Sequence, residues 1–263
     1  MSTIYSKEQL IDRLREIQRM GWIQNHRQGN DGGVGNTLED LLGIEENNLP
    51  IPNASEWELK CQRSNTSSLT TLFHFEPSPR AIRFVPSILL PKYGWNHAEA
   101  GKRYPITERS FRQTISGASR SDRGFMLKVD DLEKKIVVSF DSDSVHQRHE
   151  AWLNDVAARV GNLDELNPQP YWGFADVYHK AGTKLLNTFY VLADCDRDNS
   201  GVEYFNYNKI FMLTNFSLDG WLKAINAGVL FVDFDARTGH NHGTKYRLKQ
   251  NELPLLYGSI VEI

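Results

Sequence analysis

Between residues 55 and 63 the chain reads SEWELKCQR, with Glu56, Glu58 and Lys60 at every second position and Trp57, Leu59 and Cys61 between them. Successive side chains of a β-strand point to opposite faces, so Trp57 and Leu59 can enter a core while two carboxylates and an ammonium line the other side. Such a strand needs a core to rest on. A chain of 263 residues can supply one, as a single large domain or as two lobes sharing a cleft. With 40% hydrophobic and 24% charged residues, the composition is that of a folded globular protein and excludes general disorder.

The formal net charge of -3 does not mark a nucleic-acid binder, although a basic groove can be offset by acidic surface elsewhere. Cys61 and Cys195 form no metal or disulfide pattern and suit a reducing compartment. The opening MSTIYSKEQL has no apolar core of a signal peptide, and no apolar run reaches the ~20 residues of a membrane span. The expectation is a cytoplasmic protein with no membrane partner.

Periodicity outlines the elements. Ser6 and Gln9 make a capping box ahead of the stripe Leu10, Ile11, Leu14 and Ile17, and Gly21 can end that helix. The glycine-rich loop of residues 29–35 leads to a short helix that Thr37 can cap, with Glu39 on its first turn. Strands are predicted at 56–63, 69–75, 124–130 and 135–141, the last two as a hairpin, and again at 184–193 and 203–214. Helices fit 144–160 and 218–227; the apolar strand VLFVDFD, the polar turn RTGHNHGT and two closing strands follow. The class is α/β with antiparallel character. The predicted lobes are 1–150 and 151–263, with the seam somewhere in 142–170.

The polar face of the first strand has a chemistry. An acidic residue a few positions before Glu-x-Lys can hold a divalent cation while the lysine positions water and offsets phosphate charge, as phosphodiester hydrolysis requires. Alone, the trimer is also what a solvated strand face looks like, with an ion pair worth about 0–1 kcal/mol. Its surroundings add weight. With NDGGVGNTLEDLLG ahead of it and DFDARTGHNHGTKYR near the C-terminus, the chain resembles the MvaI/BcnI type of restriction endonuclease, relatives of the mismatch-repair nicking enzyme MutH. The resemblance runs through most of the chain in order.

The resemblance implies a MutH-like α/β fold, a mixed sheet with flanking helices, and two lobes around a DNA-binding cleft. It implies a Mg2+-dependent active site from Glu39, the position held by Asn53, Glu58 and Lys60, with Asn53 and Glu58 at the metal-ligand positions. Asn53 departs from the family, which has aspartate there; an amide keeps the shape and one oxygen but loses the charge of a hard-metal ligand. Either the chain is an inactivated variant, which is the favoured reading, or Glu56 supplies the carboxylate. For Glu39, the alternative is a helix N-terminal glutamate favoured by the dipole at ~0.3–1 kcal/mol. His74 joins the site if its strand pairs beside 56–63 and so nears Lys60; a surface or core histidine is the other reading.

The second constellation is RTGHNHGTKYR. H-x-H invites zinc, but no third ligand lies at a metal spacing, whereas polar donors on a turn between strands suit the major groove. The resemblance implies recognition of a short pseudopalindrome of the type CC-N-GG, with His240, His242 and Arg247 reading bases and Arg237 and Lys245 meeting phosphate or supporting the loop. A solvated hairpin tip is the alternative. The segment RSFRQTISGASRSDR, with four arginines, is a further phosphate-contact candidate, and DCDRDNSG, which lacks the calcium loop's closing glutamate, reads as a turn. The expected partners are duplex DNA and, without a stable complex, a companion DNA methyltransferase acting on the same site. The expected state is a monomer. A MutH-like nicking enzyme and a sequence-specific binder without catalysis are the alternatives.

Overall fold

The structure is a computed structural model that describes residues 5–27, 32–44, 57–185 and 187–263. In chain order its elements begin with helix α1 (Lys7–Arg19), strand β1 (Trp22–Gln24), helix α2 (Gly33–Leu42) and strands β2 (Trp57–Arg63) and β3 (Leu69–His74). There follow α3 (Leu90–Tyr93), β4 (Trp95–Asn96), β5 (Arg109–Ile115), β6 (Arg123–Asp130), β7 (Lys135–Val145), α4 (Glu150–Val160), β8 (Tyr171–Gly173) and α5 (Phe174–Lys184). The remainder is β9 (Asn187–Arg197), β10 (Glu203–Phe216), α6 (Leu218–Asn226), β11 (Leu230–Arg237), β12 (His240–Lys249) and β13 (Tyr257–Glu262).

These elements divide into two compact units, each discontinuous in sequence. The first gathers the described residues up to Ser68 with Gly182–Ser217 and Gln250–Ile263; the second is Leu69–Ala181 with Leu218–Lys249. The expected seam near residue 150 does not separate them, because α4 lies inside the second unit. The chain crosses between units several times, and a contiguous boundary cannot describe that.

The first unit is built on a sheet ordered β1-β10-β9-β2, with β13 also on β10. β2 runs parallel to β9, pairing Glu58 with Thr188 and Lys60 with Tyr190. Trp57, Leu59, Phe189 and Val191 form a buried cluster with Leu10 and Leu14 of α1 and Leu38 of α2, and the rings of Trp57 and Phe189 sit 4.6 Å apart. The apolar half of the 55–63 alternation therefore enters a core as expected. The capping box of α1 is formed: Gln9 N–H donates to Ser6 Oγ at 3.2 Å and Ser6 N–H to Gln9 Oε1 at 2.9 Å. α2 differs from expectation: it begins at Gly33, so Thr37 is a fully buried interior residue bonded to Asn25 Oδ1 (3.4 Å), and Glu39 lies beyond the first turn. Gly33 approaches Asn25 so closely that a Cβ would meet its Nδ2 at 2.8 Å, and this fit lets the glycine-rich loop give way to helix early.

At the end of β2, Arg63 donates to Glu203 (3.1 Å), which also accepts from Asn25 (2.9 Å). Burial pushes the Glu203 carboxyl up, but these hydrogen bonds and the charges of Arg63 and Arg197 outweigh it and hold the group below the usual range.

The second unit holds a sheet ordered β3-β12-β11-β5-β4 and a smaller one ordered β6-β7-β8. Their core is aromatic: Trp221 lies 5.6 Å from Phe73 and 5.0 Å from Tyr246, while Phe111 meets Phe125 edge-on at 5.6 Å. The hairpin β6–β7 forms as predicted, but β7 stays extended to Val145, and α4 begins only at Glu150. α5 and β5 were not foreseen. β5 hides in the segment read as a basic run: Phe111 and Ile115 are buried while Arg112 and Thr114 are exposed, a strand's alternation.

Leu38 is fully buried against β2, so Leu38→Ala should lower unfolding free energy by about 3 kcal/mol in urea denaturation. Glu203→Gln should cost about 1 kcal/mol at neutral pH. A depressed folded-state pKa gives stability present above the ordinary carboxylate pKa and lost as pH falls through the folded value. The wild-type advantage over Glu203→Gln should therefore vanish in strong acid, as paired urea titrations at pH 7 and pH ~2.5 would show.

Candidate active site and nucleic-acid interface

The first candidate site stands on β2. Lys60 Nζ lies 2.7 Å from Glu58 Oε1, with 52% and 30% of their side chains exposed, so a carboxylate and an ammonium are held together in reach of solvent. Alternation puts them opposite Trp57 and Leu59, and their register partners on β9, Thr188 and Tyr190, are buried. The floor beneath them is polar and tied down. Thr188 Oγ1 and the Tyr257 hydroxyl are 2.8 Å apart, and Gln62 Nε2 donates to the Gln250 carbonyl (2.6 Å). Burial, with the Glu58 charge adding to it, pushes the Tyr257 phenol up to about 12, so it stays protonated through the physiological range.

Glu39 lies in the middle of α2, half-buried; burial pushes the Cys61 thiol far up, and the charges of Cys195 and Glu39 add to the shift. Asn53 and Glu56 lie outside the described residues. Among the described residues no three His, Cys, Asp or Glu side chains converge on a point where a metal could sit. The chemistry of Glu58 nonetheless fits a hard cation: a half-exposed carboxylate is the type of ligand that Mg2+ takes singly or in pairs, completing its shell with water and phosphate.

His74 is placed differently from expectation. Its strand β3 pairs with β12, not β2, and His74 stands opposite Lys245 in the second unit. The reason is that the neighbour of β2 is β9, which parallel pairing brings back from far along the chain.

The second candidate site is the outer face of the β3-β12-β11-β5 sheet. β11 alternates strictly: Leu230, Val232, Phe234 and Ala236 are fully buried, while Asp233, Asp235 and Arg237 face out. Asp235 is flanked by Arg112 Nε at 2.7 Å and Lys245 Nζ at 3.5 Å. Asp233 accepts from Thr114 Oγ1 at 2.9 Å and faces the Arg247 guanidinium at 3.8 Å. Arg247 is loosely satisfied: one amino group donates to the Leu69 carbonyl at 3.3 Å, and its buried Nε meets no acceptor among the described residues. Arg237 is held more firmly, by buried Glu108 at 3.1 Å and over the Tyr104 ring at 4.8 Å. His240 and His242 are exposed beyond it, rings edge-on at 4.2 Å.

The expectation missed Asp233 and Asp235, although their signal was in plain alternation, VDFD, and it took Arg112 for a phosphate contact where the structure pairs it with Asp235. The four-arginine segment is not a uniform phosphate surface. Arg120 is tied to Asp141 and the Gly124 carbonyl, and Arg123 is half-buried over Trp95 at 3.8 Å, where burial lowers its pKa. DCDRDNSG is the turn joining β9 to β10: Asp198 accepts from Ser200 N–H and Val202 N–H, both at 2.9 Å.

The model of the MvaI/BcnI restriction endonuclease family matches residues 11–257. The chain belongs to that family. Restriction endonucleases are nucleases of DNA, and that much of the function follows from membership. The fold agrees. The solved complex of restriction endonuclease MvaI with its cognate DNA substrate is similar with a TM-score of 0.65 and 24% identity, covering 98% of this chain and 99% of that one. MvaI without DNA is similar with a TM-score of 0.60 and 20% identity, covering all of both chains. No curated protein matches the chain. The mixed α/β fold expected from the sequence is thus the fold of a member of this family. No helix among the described residues is long and apolar enough to cross a membrane.

Asp235 sits between two cations that repel each other once it is neutral. Because the trio is partly solvated, Asp235→Asn should cost only about 1 kcal/mol, measured by chemical denaturation, and less at high salt.

Proposed function

We propose that this chain is a type II restriction endonuclease built to bind a short pseudopalindromic duplex site of the CC-N-GG type and hydrolyse phosphodiester bonds with Mg2+, its cleavage impaired by Asn53 at the expected aspartate position. The observation that carries the reading is the Glu58–Lys60 pair, 2.7 Å apart on a half-exposed strand face in a member of a restriction-endonuclease family. Glu58 would hold Mg2+ together with the residue at position 53. The bound cation supplies Lewis-acid stabilisation of the developing phosphate charge and an acidified water. Lys60 orients the attacking water and offsets negative charge at the phosphate; the supporting role of Glu39 for the metal or the lysine rests on the family resemblance, since its charge acts on Cys61, on the Trp57 side of β2. The Thr188–Tyr257 hydroxyls hold the floor of the site in one conformation.

Arg247 and the exposed His240 and His242 are the base readers of the second unit, with donors suited to guanine O6 and N7. The incompletely bonded Arg247 guanidinium and the exposed imidazoles support this, while Arg237, committed to Glu108, suits a supporting role. Lys245 meets phosphate or holds the strand. His74, opposite Lys245, belongs with this group. The enzyme acts as a cytoplasmic monomer on DNA that a companion methyltransferase protects.

Asn53 supports a second reading, specific binding without cleavage, because an amide is a weak ligand for a hard cation. Plasmid carrying CC-N-GG sites with each central pair tests both. With Mg2+, Asn53→Asp should cut at least ~100-fold faster than the chain as it stands, the several kcal/mol that a carboxylate ligand contributes. Equal cutting by both would assign the ligand role to Glu56 or another ligand, which Glu56→Gln would then separate. A nicked circle that never becomes linear would indicate a MutH-like nickase. Absence of both specific binding and cutting in either form would contradict the assignment.

A further inference from the structure

The two histidines and Arg247 belong to one strand, yet regular pairing would not put them on one face. Thr244, Tyr246 and Leu248 of β12 are buried and Lys245 and Arg247 face out, so His240, five residues before Lys245, should by alternation face the other way. Pairing with β11 shows how this is avoided. Phe234 pairs with Thr244, but Ala236 pairs with Asn241, so two steps along β11 match three along β12. The extra residue is a β-bulge at His242–Gly243, and it reverses the alternation: His240 now pairs with Arg237, on the face of Asp235, Lys245 and Arg247.

The bulge is held by specific groups. Gly243 takes φ +84°, a conformation that favours glycine, and its N–H donates to Asn241 Oδ1 at 3.0 Å. Next to it, the Glu76 carboxylate accepts both the backbone N–H of Thr244 (2.8 Å) and its hydroxyl (2.9 Å). The approach is close: a Cβ on Gly243 would lie 3.1 Å from His74 Cδ2 and 3.3 Å from Glu76 Oε1.

We propose that Glu76 is a positioning residue for base recognition: by clamping Thr244 beside the Gly243 bulge, its carboxylate keeps His240 on the same face as Arg247. The inference rests on the reading of this hairpin as the base-reading element. Glu76 itself touches no base and acts through His240.

Fluorescence anisotropy without divalent metal, on duplexes carrying CC-N-GG and on duplexes with one outer G·C pair replaced, tests this. Glu76→Gln keeps the side-chain shape but replaces one carboxylate oxygen with an amide NH2. It should lower discrimination between the two duplexes roughly tenfold, the worth of one base contact, with affinity for site-free DNA unchanged. Gly243→Ala, which strains the bulge's positive φ and presses a Cβ toward His74 and Glu76, should do the same. In a His240→Ala background, Glu76→Gln should change discrimination by less than about twofold, since coupled positions are not additive. The proposal is overturned if Glu76→Gln and Gly243→Ala keep full discrimination, if they weaken binding to all duplexes alike, or if Glu76→Gln and His240→Ala are additive. If His240→Ala is itself without effect, the base-reading assignment of the hairpin fails and takes this proposal with it; a costly His240→Ala beside a silent Glu76→Gln removes this proposal alone.

Discussion

The parallel pairing of β2 with β9 is the constraint on which the first unit depends. A strand whose apolar positions alternate with charged ones can bury only one face, and a slip of one residue would put Glu58 and Lys60 into the Trp57 cluster. Burying an unpaired carboxylate there would cost far more than the ~0–1 kcal/mol that the solvated pair contributes. The apolar half of the strand therefore enforces the exposure of the polar half. The site's geometry is a consequence of hydrophobic burial, and the ion pair itself adds little to stability.

The second unit uses the same alternation to a different end. Its outer face carries as many partners as charges: Asp235 between Arg112 and Lys245, Asp233 between Thr114 and Arg247. Such a face keeps its cations in fixed positions without burying them, and the least satisfied of them, Arg247, stands two residues from Lys245 on the same side. A single bulge then decides whether His240 joins that face or leaves it.

Much of this was legible from residue order. Local signals performed well wherever one element's own chemistry sets it: the Ser6–Gln9 capping box, the alternation of 56–63 and the β6–β7 hairpin all formed, whereas the turn expected over RTGHNHGT narrows to Thr238 and Gly239, the rest being paired strand of β11 and β12. What was not legible depended on distant partners. The crossover that parallel pairing requires here spans the whole excursion between Arg63 and Asn187, so neither the discontinuous units nor the true neighbour of His74 shows in any window of sequence. β5 was masked because its outward arginines resembled a basic run, and the early start of α2 depended on Gly33 meeting Asn25. The outward positions of Asp233, Asp235 and Arg112 were legible as alternation, but their pairing with one another and with Lys245 and Arg247 was not, since only strand order makes them neighbours.

The most direct test of the account is a crystal structure of the chain bound to a CC-N-GG duplex with Ca2+ in place of Mg2+. The account predicts a phosphate at the Glu58–Lys60 face of β2 and the hairpin of His240 and Arg247 in the major groove. A duplex seated on any other surface, with Lys60 remote from phosphate, would contradict it.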